Sequence, residues 1–282
     1  MSGSPLLITG ANGQLGQALQ RLVGDRQVTA VDIDELDLTD RRAVLDLVGS
    51  MRPGAIVNCA AMTNVDGCET SPEPAFAVNA WAVRTLAEAA RSVDAYLCQV
   101  STDYVFSGDK GEPYVEWDAT GPRSVYGASK LGGELEAGAT AGIARTAWLA
   151  GRDGNNIVKT ILRLGAEGDQ LTFVDDQFGS PSFADDVAAR LLVMVDERLP
   201  GVFHTTNTGH ASWYEFAGDV LEAGGFSRDQ VRPISTAELD PPRPAPRPFD
   251  SRLDGLAARL AGLDPLPAYR ESLDRLVADL RA

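Results

Sequence analysis

Tyr126 and Lys130 stand four residues apart in the segment Tyr126-Gly127-Ala128-Ser129-Lys130. On a helix this spacing puts both side chains on one face, with Cβ atoms about 5–6 Å apart. A tyrosine hydroxyl so placed can pass its proton to a carbonyl oxygen as hydride arrives at the carbon. The ordinary phenol pKa is about 10. A lysine cation at ~4 Å favours the phenolate by on the order of 4 kcal/mol at an effective dielectric of about 20. Desolvation works the other way, so a smaller net shift is expected. The bland reading of the pair is two side chains snorkelling on a surface. A third hydroxyl should stand near the carbonyl oxygen. Thr102, in Ser101-Thr102-Asp103-Tyr104, leaves the carboxyl end of an apolar run, where ligands of open α/β sheets sit.

Chemistry of this kind needs a hydride source, and the first residues offer a place for one. Gly10-Ala11-Asn12-Gly13-Gln14-Leu15-Gly16 spaces its glycines as G-x-x-G-x-x-G. Gly10 permits a sharp turn, Gly13 lets a pyrophosphate approach the backbone, and Gly16 lets a helix pack closely on its strand. Free N–H groups at the helix start, with the positive end of its dipole, bind phosphate. The second apolar run ends in Val31-Asp32-Ile33-Asp34. A carboxylate there accepts from the adenosine ribose and disfavours a 2′-phosphate, which points to NADH. Asp32 is the first choice, with Asp34 or Glu35 as alternatives. Asp37 and Leu38 are candidates for an adenine contact, and Thr39 or Asp40 for a helix N-cap.

These groups need elements to hold them. Short apolar runs at 6–9, 28–31, 55–58 and 96–101 read as strands. Helical spacing follows from Leu15, over 41–51 and over 77–92. Strands alternating with such helices imply right-handed crossovers and a parallel sheet. Further on, 143–148 and 202–206 read as strands, and 156–164, 185–195 and 212–223 as helices. The segment Asp240 to Pro248 holds five prolines in nine residues. It is neither a helix nor a central strand: either a linker or a stiff loop that closes over a ligand.

Composition narrows the partners. The chain has 282 residues, with 25 Lys plus Arg against 40 Asp plus Glu, a formal charge of −15. Phosphate neutralisation on nucleic acid needs a basic face, so no nucleic acid partner is expected. No apolar run approaches the ~18 residues of a membrane span, so no membrane partner is expected. The opening Met1-Ser2-Gly3-Ser4-Pro5 lacks the basic start of a signal peptide. Three unpatterned cysteines, Cys59, Cys68 and Cys98, suit a reduced cytoplasm. The two histidines, His204 and His210, poorly support a His-rich metal site or a Ser-His-Asp hydrolase.

The ordered motifs resemble the dTDP-4-dehydrorhamnose reductase family, within the extended short-chain dehydrogenase/reductases, over nearly the whole chain. They include the glycine segment, Val57 to Asp66, Ser101-Thr102-Asp103-Tyr104-Val105-Phe106, Tyr126 to Lys130, Arg145-Thr146-Ala147-Trp148, Asp176 to Ser182 and Arg247 to Ser251. The resemblance implies an α/β fold: a Rossmann-type doubly wound parallel sheet with a smaller α/β substrate-binding lobe. Residues 1–148 would be mainly NAD(P)-binding and 149–282 mainly substrate-binding, with some segments returning to the Rossmann core. It implies NADPH or NADH as cofactor and reduction of C4 of a dTDP-4-keto-6-deoxy sugar. Thr102, Tyr126 and Lys130 match the catalytic set. Thr102 and Asp103 would hydrogen-bond the sugar, Trp148 would wall its pocket, and Thr63, Val65 and Tyr104 would lie nearby. Ala60, Ala61, Met62 and Thr63 would border the cofactor. Some relatives carry a metal-binding glutamate in the first helix, where this chain has Ala18, so no metal is expected, and a monomer or weak homodimer is.

Overall fold

The computed structural model describes residues 5–281; the opening Met1 to Ser4 lie outside them. Five strands, β1 (Leu6–Thr9), β2 (Val28–Val31), β3 (Ala55–Asn58), β4 (Tyr96–Thr102) and β5 (Gly142–Thr146), join a sixth, Gly201–His204, in one parallel sheet. Its order is Gly201–His204, β5, β4, β3, β1, β2.

Strand alternation sends successive side chains to opposite faces. Leu6, Ile8, Val57, Cys98 and Ala144 pack on one side, against α1 (Gln14–Leu22) and α8 (Ala184–Glu197). Leu7, Ile56, Leu97 and Ile143 pack on the other, against α2 (Arg41–Met51) and α5 (Ala82–Ser92). Burying each large aliphatic side chain contributes roughly 1.5–3 kcal/mol before chain entropy is counted. Helix starts follow local capping chemistry. The Asp40 carboxylate accepts from the N–H groups of Arg42 and Ala43, and Ser124 accepts from Gly127 at the start of α6 (Val125–Ala137).

The strands end in register: Thr9 lies beside Asn58, Asn58 beside Gln99, and Thr102 beside Thr146. Three of these buried polar side chains bond in a row. Thr9 Oγ1 donates to Asn58 Oδ1 at 2.6 Å, and Asn58 Nδ2 donates to Gln99 Oε1 at 2.7 Å. Burying these polar groups is thereby compensated by hydrogen bonds between β1, β3 and β4.

A second core gathers α7 (Ile157–Glu167), α9 (Trp213–Ala223) and α11 (Tyr269–Arg281) around Ile161, Phe216, Leu221 and Leu273. Beside it, Leu171–Val174 pairs in parallel with Val231–Ile234. The sixth strand and α8 belong to the later half of the chain yet pack into the main sheet.

Two expectations are corrected. The strand expected over 143–148 stops at Thr146, because Trp148 takes a left-handed φ of 46° and turns the chain away. The helix expected over 77–92 begins with a π-helical turn, Ala77–Trp81, and continues from α3 (Val65–Thr70) and α4 (Pro72–Phe76), which the periodicity did not signal. Both are too short to show a repeating apolar face.

Glu134 of α6 accepts from Ser101 of β4 at 2.5 Å and from Arg145 of β5 at 2.9 and 2.7 Å. The ion pair is 5 and 6 % exposed, so removing one partner strands a charge in a dry interior. Glu134→Ala is expected to cost on the order of 3–5 kcal/mol in urea unfolding. A loss below about 1 kcal/mol would mean that the pair is screened like a surface one.

Candidate active site

The carboxyl edge opens into a cavity of about 860 Å³ that runs from the glycine segment to Trp148 and Trp213. At one end, β1 turns at Gly10, whose φ is 69°; an added Cβ would lie 2.6 Å from the Ala60 nitrogen. At Gly16 an added Cβ would lie 2.3 Å from the Gly10 oxygen. At Gly13 it would meet only that oxygen, at 3.3 Å, and otherwise open space. Gly13 is the N-cap of α1 and no side chain caps the helix. The first N–H groups therefore face a bare cradle, which suits a diphosphate. Asp32 lines the cavity at the end of β2 and accepts from the Asn12 N–H at 2.8 Å. Asp34 and Glu35 do not line it. Asp37 and Leu38 do, with Asp37 held by the N–H and hydroxyl of Thr39, which lower its pKa. Asp40 supplies the helix cap. These groups fit a dinucleotide.

Tyr126 and Lys130 project from one face of α6 into the middle of this cavity, and Thr102 lines it from the end of β4. The ring of Tyr104 meets Tyr126 edge-on at 5.5 Å. Lys130 Nζ donates to the Val100 carbonyl at 2.7 Å. Asp103 accepts from Thr102 at 2.9 Å.

Burial governs the proton affinities. Desolvation pushes the Tyr126 phenol well above its ordinary value, against a smaller downward pull from the Thr102 hydroxyl. The expected depression by Lys130 is thus overturned. The lysine is itself desolvated, pulled down to about 8, and tied to a backbone carbonyl. At neutral pH Tyr126 keeps its proton and Lys130 mostly keeps its charge. Burial pushes Asp103 up to about 6, its hydrogen bonds from Ser251 and Thr102 pulling the other way.

Gln14, Leu15, Ala60, Ala61, Thr63, Val65, Asp103, Tyr104 and Trp148 also line the cavity. Met62 does not. Its N–H and carbonyl are both taken by the Asn79 amide, at 2.8 and 3.1 Å, which turns this residue off the cavity wall. Asn79 also donates to Ser129 of α6, so it ties the cofactor-side loop to the helix of Tyr126. Sequence reasoning passed over Asn79 because a buried Asn inside a helix carries no local signal. It also passed over Trp213, which stacks on Trp148 at 3.7 Å and 13°. Gly179 makes room for that indole: an added Cβ would lie 2.3 Å from it.

Cations that could grip a diphosphate are mostly engaged elsewhere. Arg145 is consumed by Glu134, and Arg163 by Glu167 on the surface. Lys159 donates to the carbonyls of Arg152 and Gly154. Arg247 pairs with Asp66, holding that carboxylate down at about 2, while Arg243 is exposed. The proline-rich segment is thereby pinned across to α3, beside the cavity-lining Val65, with the Ala245 N–H also donating to Asp66 at 3.0 Å. Ala18, the position of the absent metal-binding glutamate, is fully buried in the core.

The family profile described as RmlD substrate binding domain matches residues 4–282. The chain is 44 % identical to the dTDP-4-dehydrorhamnose reductase of Streptomyces griseus over 95 % of this chain and 91 % of that protein. It is 42 % identical to a probable dTDP-4,6-dihydroxy-2-methyloxan-3-one 4-ketoreductase of Streptomyces antibioticus, over 98 % of this chain and 95 % of that protein. A crystal structure of dTDP-4-dehydrorhamnose reductase from Bacillus anthracis, in complex with NADP, superposes with a TM-score of 0.94. It covers 98 % of this chain and 99 % of that one, at 37 % identity.

The glycines separate binding from folding. Gly13→Val is expected to leave the melting temperature within about 2 °C and to weaken dinucleotide binding at least about tenfold, by blocking the cradle. Gly16→Val collides with backbone and should cost roughly 1–3 kcal/mol or more in stability. Calorimetric titration beside thermal unfolding reads both; equal effects of the two substitutions on binding and stability would contradict the assignment.

Proposed function

Since this chain belongs to the RmlD substrate binding domain family, we propose that it is a dTDP-4-dehydrorhamnose reductase that reduces the C4 ketone of its dTDP-sugar to an alcohol. The observation that carries the reading is the convergence of Thr102, Tyr126 and Lys130 at the middle of the cavity that starts at the glycine cradle. Residues 1–148 serve mainly the cofactor and 149–282 mainly the sugar nucleotide, with the sixth strand and α8 returning to the sheet.

A bound NADPH or NADH supplies the hydride. The chain's own residues do the rest. The start of α1 would hold the diphosphate, Asp37 and Leu38 would border the adenine, and Asp32 would accept from the adenosine ribose. Tyr126, kept neutral by burial, gives its phenolic proton to the oxygen that becomes the C4 hydroxyl. Lys130, anchored to Val100, supplies a buried positive charge that stabilises the phenolate left behind. Thr102, its proton on Asp103, steadies the Tyr126 phenol, and the stacked Trp148 and Trp213 wall the sugar. Excluding water there strengthens each electrostatic contact.

A second substrate is favoured by one observation. The Streptomyces antibioticus relative, a probable 4-ketoreductase of another dTDP-sugar, is nearly as similar as the first. Mixing the protein with each ketosugar and assigning the C4 configuration of the product by NMR distinguishes the two.

Following NAD(P)H absorbance with dTDP-4-dehydrorhamnose should show turnover that Tyr126→Phe lowers by at least about a hundredfold. No oxidation above that variant would sink the reading. The dependence of kcat/KM on pH should be bell-shaped. Its acidic limb falls as Asp103 takes a proton below about 6, and its alkaline limb as Lys130 loses one above about 8. The cofactor choice is a separate test. Asp32 would stand near the adenosine ribose of a bound dinucleotide, and a carboxylate there disfavours a 2′-phosphate, which is an argument for NADH over NADPH. Asp32→Ser should shift the NADPH to NADH ratio of kcat/KM upward by about tenfold, roughly 1.4 kcal/mol; an unchanged ratio would show that Asp32 does not discriminate.

A further inference from the structure

Ser251 reaches the catalytic threonine through a buried carboxylate. Its Oγ donates to Asp103 Oδ2 at 2.5 Å, and Asp103 Oδ1 accepts from Thr102 Oγ1 at 2.9 Å. Thr102 Oγ1 also accepts from the Tyr104 N–H at 3.3 Å and lies beside the Tyr126 phenol. Ser251, Asp103 and Thr102 are 2, 2 and 5 % exposed, so water does not compete for these bonds. Ser251 comes from far along the chain, just after the proline-rich segment. It is held there by its N–H, which donates to the Phe178 carbonyl at 2.9 Å.

A threonine hydroxyl has one proton and rotates to suit its partners. With that proton committed to Asp103, the hydroxyl has a defined direction. The commitment lasts only while the Asp103 carboxyl is ionised and does not turn. Its second oxygen must therefore be held as well, and Ser251 holds it. We infer that Ser251 is a positioning residue: through Asp103 it holds the Thr102 hydroxyl, its proton turned toward the carboxylate, in a fixed place beside the Tyr126 phenol. The inference rests on the ketosugar-reductase reading given above.

The surroundings leave Asp103 as the group whose protonation breaks this chain. Facing it are the phenols of Tyr104 on its own turn and Tyr126 on α6, both raised by burial. Arg247, paired with Asp66, and Arg243 stand by Tyr104. Flanking Ser251, Asp250 and Arg252 pair with each other, and His210 beside them is lowered by burial and stays neutral. The hydrogen bond from Ser251 favours the ionised carboxylate. Removing it must move the protonation of Asp103 to higher pH.

The test compares the full-length wild type with Ser251→Ala and Ser251→Thr. In S251A the acidic limb of kcat/KM should move up by about one pH unit, the size of one hydrogen bond to a carboxylate. Its kcat at neutral pH should fall about tenfold, with cofactor affinity unchanged. S251T, which keeps the donor, should restore both. A merely structural serine would lower the melting temperature and leave the limb in place; that result overturns the inference, as does failure of S251T to restore the limb. If S251A does not fold, Ser251→Cys, a weaker donor, is read by the same criteria. A titration free of turnover follows the carboxyl carbon of Asp103 by NMR of aspartate-labelled protein, assigned with Asp103→Asn. A midpoint that does not rise in the serine variant overturns the inference. Inactivity of the wild type on the ketosugar would instead overturn the reductase reading, and the NMR midpoint keeps the two failures apart.

Discussion

The carboxylate of Glu134 accepts from Ser101 on β4 and Arg145 on β5 while riding on α6. That three-way bond sets where α6 lies on the sheet, and so where Tyr126 and Lys130, two turns and one turn earlier, stand against the end of β4. A helix that only packed apolar side chains would tolerate small slides along the sheet. A buried, bidentate ion pair does not, because misalignment leaves charge unpaired in a low dielectric. Thr102 at the end of β4 and Tyr126 on α6 face one cavity, and this contact holds their two elements in register.

The same dryness sets the chemistry. One cause, loss of water, raises the Tyr126 phenol, raises the Asp103 carboxyl and lowers the Lys130 ammonium. Each shift favours the neutral form. The buried tyrosine thus keeps its proton at neutral pH. The formal charge of −15 sits badly with anionic ligands. The local features that suit an anion are the uncapped start of α1 and the buried Lys130. Arg145, Arg163 and Arg247 are already taken by acidic partners.

Much of this was legible before folding. Short apolar runs separated by helical spacing marked the first four strands of the sheet, since a parallel sheet covered on both faces reads as brief apolar runs. Gly10, Gly13 and Gly16 revealed the cradle because each position needs a missing Cβ for a local reason. The spacing of Tyr126 and Lys130 revealed a shared helix face. Less was legible where distant segments meet. Trp148 read as the end of a strand, yet it turns through a left-handed φ to stack on Trp213. Met62 read as a cofactor neighbour, yet Asn79 holds it off the cavity wall. Neither partner lies within the reach of a local pattern.

The sequence by itself determined the first four strands, the glycine turn at the start of α1 and the shared helix face of Tyr126 and Lys130, because short-range sterics and helical periodicity encode them. Tertiary structure alone decided which of three acids faces the cavity, which arginines remain available, and which way proton affinities move. Those depend on burial and on partners brought from far along the chain, as Ser251 is brought to Asp103 and Arg247 to Asp66. Desolvation and long-range pairing are properties of the packed interior, and no spacing along the chain carries them.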